Sequence, residues 1–172
     1  ELGRDPYSEP FTCAGIGDMG GDVFGNGLIE SPHVQLKAAF NHLHIFLDPS
    51  PHPTKSAAEL KRLFECQGGW DQFNTKLLSK GGGVFDRRAK SIALSPEVRE
   101  MLGIEAEEAQ PEMIIHHILH HLLCHVHASH LSSPTRDQQV VCHDSWMHSF
   151  VSLHLLEQDH CTIHVLQFDP TL

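Results

Sequence analysis

The first half of the chain alternates short apolar runs with amphipathic segments and with turns rich in glycine or proline. Residues 10–14 (PFTCA) form an apolar run that stops at Gly15, which is the pattern of a buried parallel strand. A helix is predicted after the following glycines, ending before Pro32, and a second strand over 34–40, with a further apolar segment at 45–47. Strand, glycine turn, helix and strand make one βαβ unit, so the pattern predicts an α/β fold.

The segments that follow are predicted to be mainly helical. Residues 56–64 have the apolar spacing of an amphipathic helix, with Ser56 as its cap. Another helix is predicted over 70–78, just before a run of three glycines. Ser95 as the N-cap and Pro96 at the first helical position predict a third helix to about Leu102.

The glycine-rich segment GIGDMGG follows the first predicted strand directly. Gly15, Gly17 and Gly20 in this segment match the spacing G-x-G-x-x-G. In a dinucleotide-binding turn, the first glycine makes the tight turn and the second lets the pyrophosphate approach the backbone. The third lets helix and strand pack closely. The motif is short, so an ordinary glycine-rich loop is the alternative at this point.

Polar residues inside and beyond the turn bear on the same question. A carboxylate about 20 positions after the motif normally hydrogen-bonds the ribose. Asn41 stands there, and it has an acceptor oxygen but no charge. Asp18 and Asp22 add negative charge near the phosphates, which favours binding only if they face away. Asp22 can instead cap the helix. Spacing alone therefore leaves dinucleotide binding open.

Composition and charge limit the class of protein. The chain has 172 residues, 40% of them apolar and 20% charged, as in a globular protein with a hydrophobic core. A formal net charge of −10 argues against a nucleic-acid surface. No apolar run is long enough to span a bilayer and no signal-peptide pattern is present, so we expect no membrane partner and a cytoplasmic location. Five scattered cysteines without a CxxC pair are expected to be reduced thiols.

The last third of the chain has a different composition from the rest. All 13 glycines lie at or before Gly103, no lysine follows Lys90, and 12 of the 16 histidines follow Pro111. We therefore divide the chain into a partial dinucleotide-binding domain over 1–111 and a His-rich tail over 112–172. The tail is expected to be helical or disordered.

Three origins of the tail remain open. His116 and His120, with Cys124 beyond them, have the helical spacing that lets side chains share a zinc ion, which is the pattern of a metal-binding or interaction module. A His-rich segment can also bind metal only adventitiously, as a purification tag does. Loss of glycine and lysine with gain of histidine, serine and leucine is what a change of reading frame would produce. We favour this third origin and assign no metal ligand.

A few other side chains have two interpretations each. Lys80 before the glycine run either holds a phosphate or carboxylate or complements the end of a helix. Trp70 and Phe73 are expected in the core. Arg87 belongs to a small basic cluster that either touches the rest of a larger enzyme or is solvated.

Two long segments carry a resemblance that extends these expectations. FTCAGIGDMGGDVFGNGLIESPHVQLKAAFNHLHIFLDPSPHP and, after it, WDQFNTKLLSKGGGVFDRRAKSIALSPEVREMLGI resemble the large bacterial NAD-dependent glutamate dehydrogenases, in the same order. The specific motifs are GDMxGDVFGNG, HIFLDP, and SKGGGVF followed by AKSI. The resemblance covers residues 1 to 120 and nothing after them.

The resemblance implies a fold, a cofactor and a reaction. The fold would be α/β, a partial Rossmann-like parallel sheet, inside a homo-oligomeric enzyme that converts L-glutamate, NAD and water to 2-oxoglutarate, ammonium and NADH. Its substrate domain, with the catalytic lysine and aspartate, would precede this segment, so no catalytic residue is expected here and no turnover is expected of the isolated chain. An inactive remnant is the remaining alternative. Members of the family usually carry Asp where Asn41 stands. The predicted cofactor-binding residues are Gly15, Gly17, Asp18, Met19, Gly20 and Asn41.

Overall fold

The protein has a mixed α/β fold. The computed structural model describes residues 7–20, 23–122 and 139–143. The strands are β1 (Phe11–Ile16), β2 (Val34–Phe40), β3 (His44–Leu47), β4 (Gly83–Asp86), β5 (Ile92–Ala93), β6 (Glu108–Ala109) and β7 (Gln139–His143). The helices are α1 (Val23–Ile29), α2 (Pro53–Glu65), α3 (Pro96–Leu102) and α4 (Pro111–His117), which a π-helical turn continues over Ile118–Leu122. Within the described residues, no helix is both long and apolar enough to cross a bilayer.

The main sheet has the strand order β4-β3-β2-β1-β7. β1 pairs in parallel with β2 on one side and with β7 on the other. β3 runs antiparallel to β2, and β4 runs antiparallel to β3. The prediction of a parallel sheet is therefore wrong for β3. Only residues 41–43 connect β2 to β3, and so short a connection reverses the chain because a parallel neighbour needs a crossover of a dozen or more residues.

Both faces of the sheet are covered by apolar side chains. On one face, Cys13 and Leu36 pack with residues of α1 and α2 and with Trp70. On the other, Ala14 and Phe40 pack with residues of α3, of α4 and of the turn after it. Alternate residues of a strand point to opposite faces, so the same strands supply both clusters. Burial on both faces explains why β1 and the second half of β2 are nearly continuous apolar runs, whereas Gln35 and Lys37 in the first half of β2 are only partly buried.

Most of the predicted elements agree with the structure. β2 has the predicted bounds, and α3 begins after Ser95, whose hydroxyl accepts a hydrogen bond from the Val98 N–H at 3.1 Å. α2 begins at Pro53, ahead of the predicted start, because proline is well suited to the first helical position.

The helix predicted over 70–78 is wrong. The chain forms two short 3₁₀ turns there, Trp70–Gln72 and Thr75–Leu77. They are separated at Asn74, whose side chain accepts from the Lys76 N–H and whose own N–H donates to the Glu59 carboxylate. Side-chain hydrogen bonds of this kind compete with a continuous helix. Of the predicted tail, residues 123–138 and 144–172 lie outside the described residues.

Candidate functional site

The glycine turn begins where β1 ends. Gly15 lies within β1, opposite Ala39, and Gly17 follows the last residue of the strand. Gly17 has a φ of 149°, a backbone conformation that residues other than glycine rarely adopt. Its N–H donates to the Phe40 carbonyl at 3.0 Å, and its own carbonyl accepts from the Trp70 indole N–H at 2.9 Å. The turn is thereby fixed between the end of β2 and a buried aromatic side chain.

The next residues of the turn pack against the segment that follows α2. Met19 is fully buried in the same cluster as Trp70. A Cβ on Gly20 would lie 2.3 Å from the carbonyl carbon of Gln67, far closer than two such atoms can approach. Gln67 itself has a positive φ of 53°. Glycine at position 20 is therefore required by a close contact between two stretches of backbone.

Asn41 connects the end of β2 to the glycine turn. Its side-chain oxygen accepts from the N–H groups of Leu43 at 2.8 Å and His44 at 2.6 Å, which closes the turn into β3. Its side-chain nitrogen donates to the Asp18 carboxylate. Asn41 is buried, whereas Asp18 is partly exposed. Two predicted site residues that are far apart in sequence thus meet at the carboxyl ends of β1 and β2.

Charged groups surround this meeting point. The Nδ1 atom of His42 lies 4.0 Å from the second carboxylate oxygen of Asp18, with 72% of the His42 side chain and 42% of the Asp18 side chain exposed. The Arg87 guanidinium donates to the Asn41 carbonyl at 2.8 Å and lies 5.9 Å from the centre of the Phe40 ring. Both a negative and a positive group therefore stand at this edge of the sheet. Of the predicted cofactor-binding residues, Gly15 lies within β1, and the others lie beyond the strands at this edge: Gly17, Asp18, Met19, Gly20 and Asn41.

Two contributors to this site were not predicted as such. Trp70 was expected only as a core residue and Arg87 only as part of a basic cluster, yet both hydrogen-bond the backbone of the site. Trp70 is separated from its acceptor Gly17 by 53 positions. No local spacing signals a contact across such a distance.

A buried carboxyl group lies at the opposite edge of the sheet. Asp48 follows the antiparallel strand β3, and its N–H donates to the carbonyl of Lys37 in the middle of β2. Its carboxyl group accepts from the Ser79 N–H at 3.1 Å and from the Ser79 hydroxyl. Burial raises the pKa of Asp48 above its usual value, although the hydrogen bonds from Ser79 act against this. Asp48 holds two loops together and is not part of the glycine-turn site.

Lys80 is engaged in an ion pair close to that loop. Its ammonium group lies 2.6 Å from the Glu97 carboxylate, and the bond to Glu97 raises the pKa of Lys80 above its usual value. The Lys80 side chain is 90% exposed. The pair ties the glycine run to the first turn of α3, so its visible role is structural.

The histidines of the tail are described only in part. The rings of His116 and His120 lie 4.2 Å apart between centroids, as their helical spacing predicts. The ring of His117 instead contacts the Leu102 carbonyl at 2.9 Å through Nδ1. The described residues contain no group of three or more side chains suited to hold a metal ion. Cys124 lies outside the described residues.

Comparison with known proteins agrees with the sequence motifs. Residues 1–129 match the family model described as "Bacterial NAD-glutamate dehydrogenase, catalytic domain". Proteins named NAD-specific glutamate dehydrogenase are similar to the chain: 45% identical over 119 residues in Halomonas elongata, 48% over 122 in Mycobacterium tuberculosis, and 48% over 120 in Pseudomonas aeruginosa.

These alignments cover much of the chain and little of the relatives. They include 69%, 66% and 69% of this chain but only 7%, 8% and 7% of the respective relatives. The chain thus spans less than a tenth of the length of the curated relatives it matches. Because the family model spans most of the sequence, this chain belongs to the bacterial NAD-glutamate dehydrogenase family.

Proposed function

We propose that this chain is the part of an NAD-dependent glutamate dehydrogenase that holds the dinucleotide, in a partial Rossmann-like domain over residues 1–111. The observation that carries the proposal is the hydrogen bond from Asn41 to Asp18. It joins the turn after β1 to the end of β2, and ligands of open α/β sheets bind outside the carboxyl ends of such strands. The family membership and the names of the relatives support NAD as that ligand.

The residues at this edge are compatible with a dinucleotide. Gly17 has no side chain to obstruct the approach of a ligand to the turn, and its positive φ favours glycine at this position. The Asp18 carboxylate offers acceptors for hydroxyl groups. The Arg87 guanidinium, close to the end of β2, offers positive charge for an anionic group. Bound NAD would supply the acceptor for the hydride removed from the substrate.

In the whole enzyme, L-glutamate, NAD and water would yield 2-oxoglutarate, ammonium, NADH and a proton. The chain's own residues would bind and orient the cofactor, and we assign no catalytic residue to it. The groups that transfer protons would lie in the substrate domain. We therefore expect the isolated chain to bind NADH without catalysing glutamate oxidation.

A fluorescence titration of the chain with NADH tests the proposal. We expect a saturable change at or below millimolar NADH, weakened at least tenfold by Gly17→Ala because alanine is strained at this φ. Gly27→Ala is the matched control, since a Cβ there meets nothing within 4 Å. No change with wild-type protein at millimolar NADH, or equal loss in both variants, would contradict the proposal.

A metal-binding tail is the second candidate, favoured by the proximity of the His116 and His120 rings. It predicts stoichiometric zinc that survives dialysis and is lost when both histidines and Cys124 are replaced by alanine. Zinc far below one ion per chain after mild chelation would exclude it. The tail over 112–172 would then be better explained by a change of reading frame, which the nucleotide sequence from codon 110 onward would reveal.

A further inference from the structure

The side chain of Asn41 is already used within the protein. Its oxygen accepts two backbone N–H groups, from Leu43 and His44, and an amide oxygen has two lone pairs. Its nitrogen donates to Asp18. Asn41 is also buried, with 7% of its surface exposed. It cannot accept a ribose hydroxyl without giving up a bond that closes the turn into β3.

Asp18 brings a carboxylate to the same place from the other strand. Its side chain is directed toward the end of β2, where it meets Asn41 and lies near His42. A carboxylate has about four acceptor sites, and 42% of the Asp18 side chain is exposed. The bond from Asn41 therefore helps to orient Asp18, and the exposed part of its carboxylate is accessible to a ligand.

This orientation also answers the question raised by the charge of the turn. A carboxylate within a phosphate-binding turn would oppose the phosphates if it faced them. Asp18 is instead turned sideways, to the end of the neighbouring strand, where the ribose of a dinucleotide normally lies. A negative group at that position accepts hydrogen bonds from the ribose hydroxyls and repels a 2′-phosphate.

We propose that Asp18, held in place by Asn41, accepts the adenosine-ribose hydroxyls and discriminates against dinucleotides that carry a 2′-phosphate. In this chain the carboxylate would come from the glycine turn, whereas the spacing rule places it at the end of the second strand. Asn41 is then a positioning residue. The inference rests on the proposed function, because it concerns the specificity of the same site.

Parallel titrations with NADH and NADPH test the assignment on the full chain. For Asp18→Asn, we expect NADH to bind about tenfold more weakly and the preference for NADH over NADPH to fall at least tenfold, because the charge that repels the 2′-phosphate is lost. Asp18→Glu keeps the charge and should retain most of the preference. Glu100→Gln, an equal change of charge on α3, is the control and should change neither value.

The outcomes separate the inference from the proposed function. If wild-type protein binds NADH and prefers it to NADPH, but Asp18→Asn leaves the preference unchanged, the assignment of Asp18 is wrong and the proposed function stands. Equal binding of NADH and NADPH by wild-type protein also overturns the assignment, since the Arg87 guanidinium would then offset the carboxylate. Absence of NADH binding by wild-type protein overturns both. Circular dichroism of each variant confirms that it is folded.

Discussion

Replacing Trp70 by phenylalanine tests whether the core fixes the glycine turn. Trp70 is fully buried, and its ring centre lies 5.0 Å from that of Phe46 and 6.2 Å from that of Phe24. Phenylalanine keeps an aromatic ring in this cluster but has no N–H group. The carbonyl of Gly17, a buried residue, then loses its donor.

Two contributions set the magnitude of this change. A buried acceptor left without a partner costs about 1–3 kcal/mol. The smaller ring leaves a cavity that costs roughly 1 kcal/mol more. We therefore expect the free energy of unfolding to fall by about 2–4 kcal/mol.

Urea unfolding followed by circular dichroism measures this loss. Phe73→Leu is the matched control, because Phe73 lies in the same cluster, 5.0 Å from the ring of Phe46. That change leaves a small cavity but no unsatisfied polar group, so it should cost roughly 1 kcal/mol. If Trp70→Phe destabilises the protein no more than Phe73→Leu does, the indole hydrogen bond does not hold the turn.

Three further changes test other parts of the fold. Burial raises the pKa of Asp48 above 3.8, so the protonated carboxyl group stabilises the folded protein below pH 3.8, and this stabilisation is lost as pH rises through the pKa of the folded state. In urea unfolding at a series of pH values, Asp48→Asn should remove the corresponding fall in the free energy of unfolding. Ser95→Ala removes the acceptor for the Val98 N–H and should cost about 1 kcal/mol in urea unfolding; no change would show that α3 does not depend on its cap. Gly20→Ala forces a Cβ against the backbone of Gln67 and should lower the free energy of unfolding by at least about 2 kcal/mol, so a stability equal to wild type would contradict the close contact.

Local patterns predicted those elements whose signals lie within the element itself. β2 is an apolar run between Pro32 and Asn41, and α3 has both a serine cap and a first-turn proline. β4 was not predicted, since it begins with glycine and none of its residues is fully buried. It is a strand because it pairs with β3, and that pairing joins distant parts of the chain.

The candidate site was likewise predicted from local patterns only in part. Glycine spacing predicted the turn. The distance along the chain from the glycine motif to Asn41 predicted that Asn41 lies at the end of β2. The direction of the Asp18 side chain and the hydrogen bond from Trp70 depend on tertiary packing, so no periodicity reveals them. The carboxylate expected at position 41 is replaced by the amide of Asn41, and only the folded chain shows that the carboxylate of Asp18 lies beside it.

Hydrogen–deuterium exchange of the chain with and without NADH tests most directly whether the dinucleotide binds at the glycine turn, because it reports which segments the cofactor protects. We expect NADH to slow exchange in the peptides that contain Asp18–Gly20 and His42–His44, and to leave Glu100 and its neighbours on α3 unaffected. Protection confined to other segments, or none at saturating NADH, would contradict a dinucleotide site at the glycine turn.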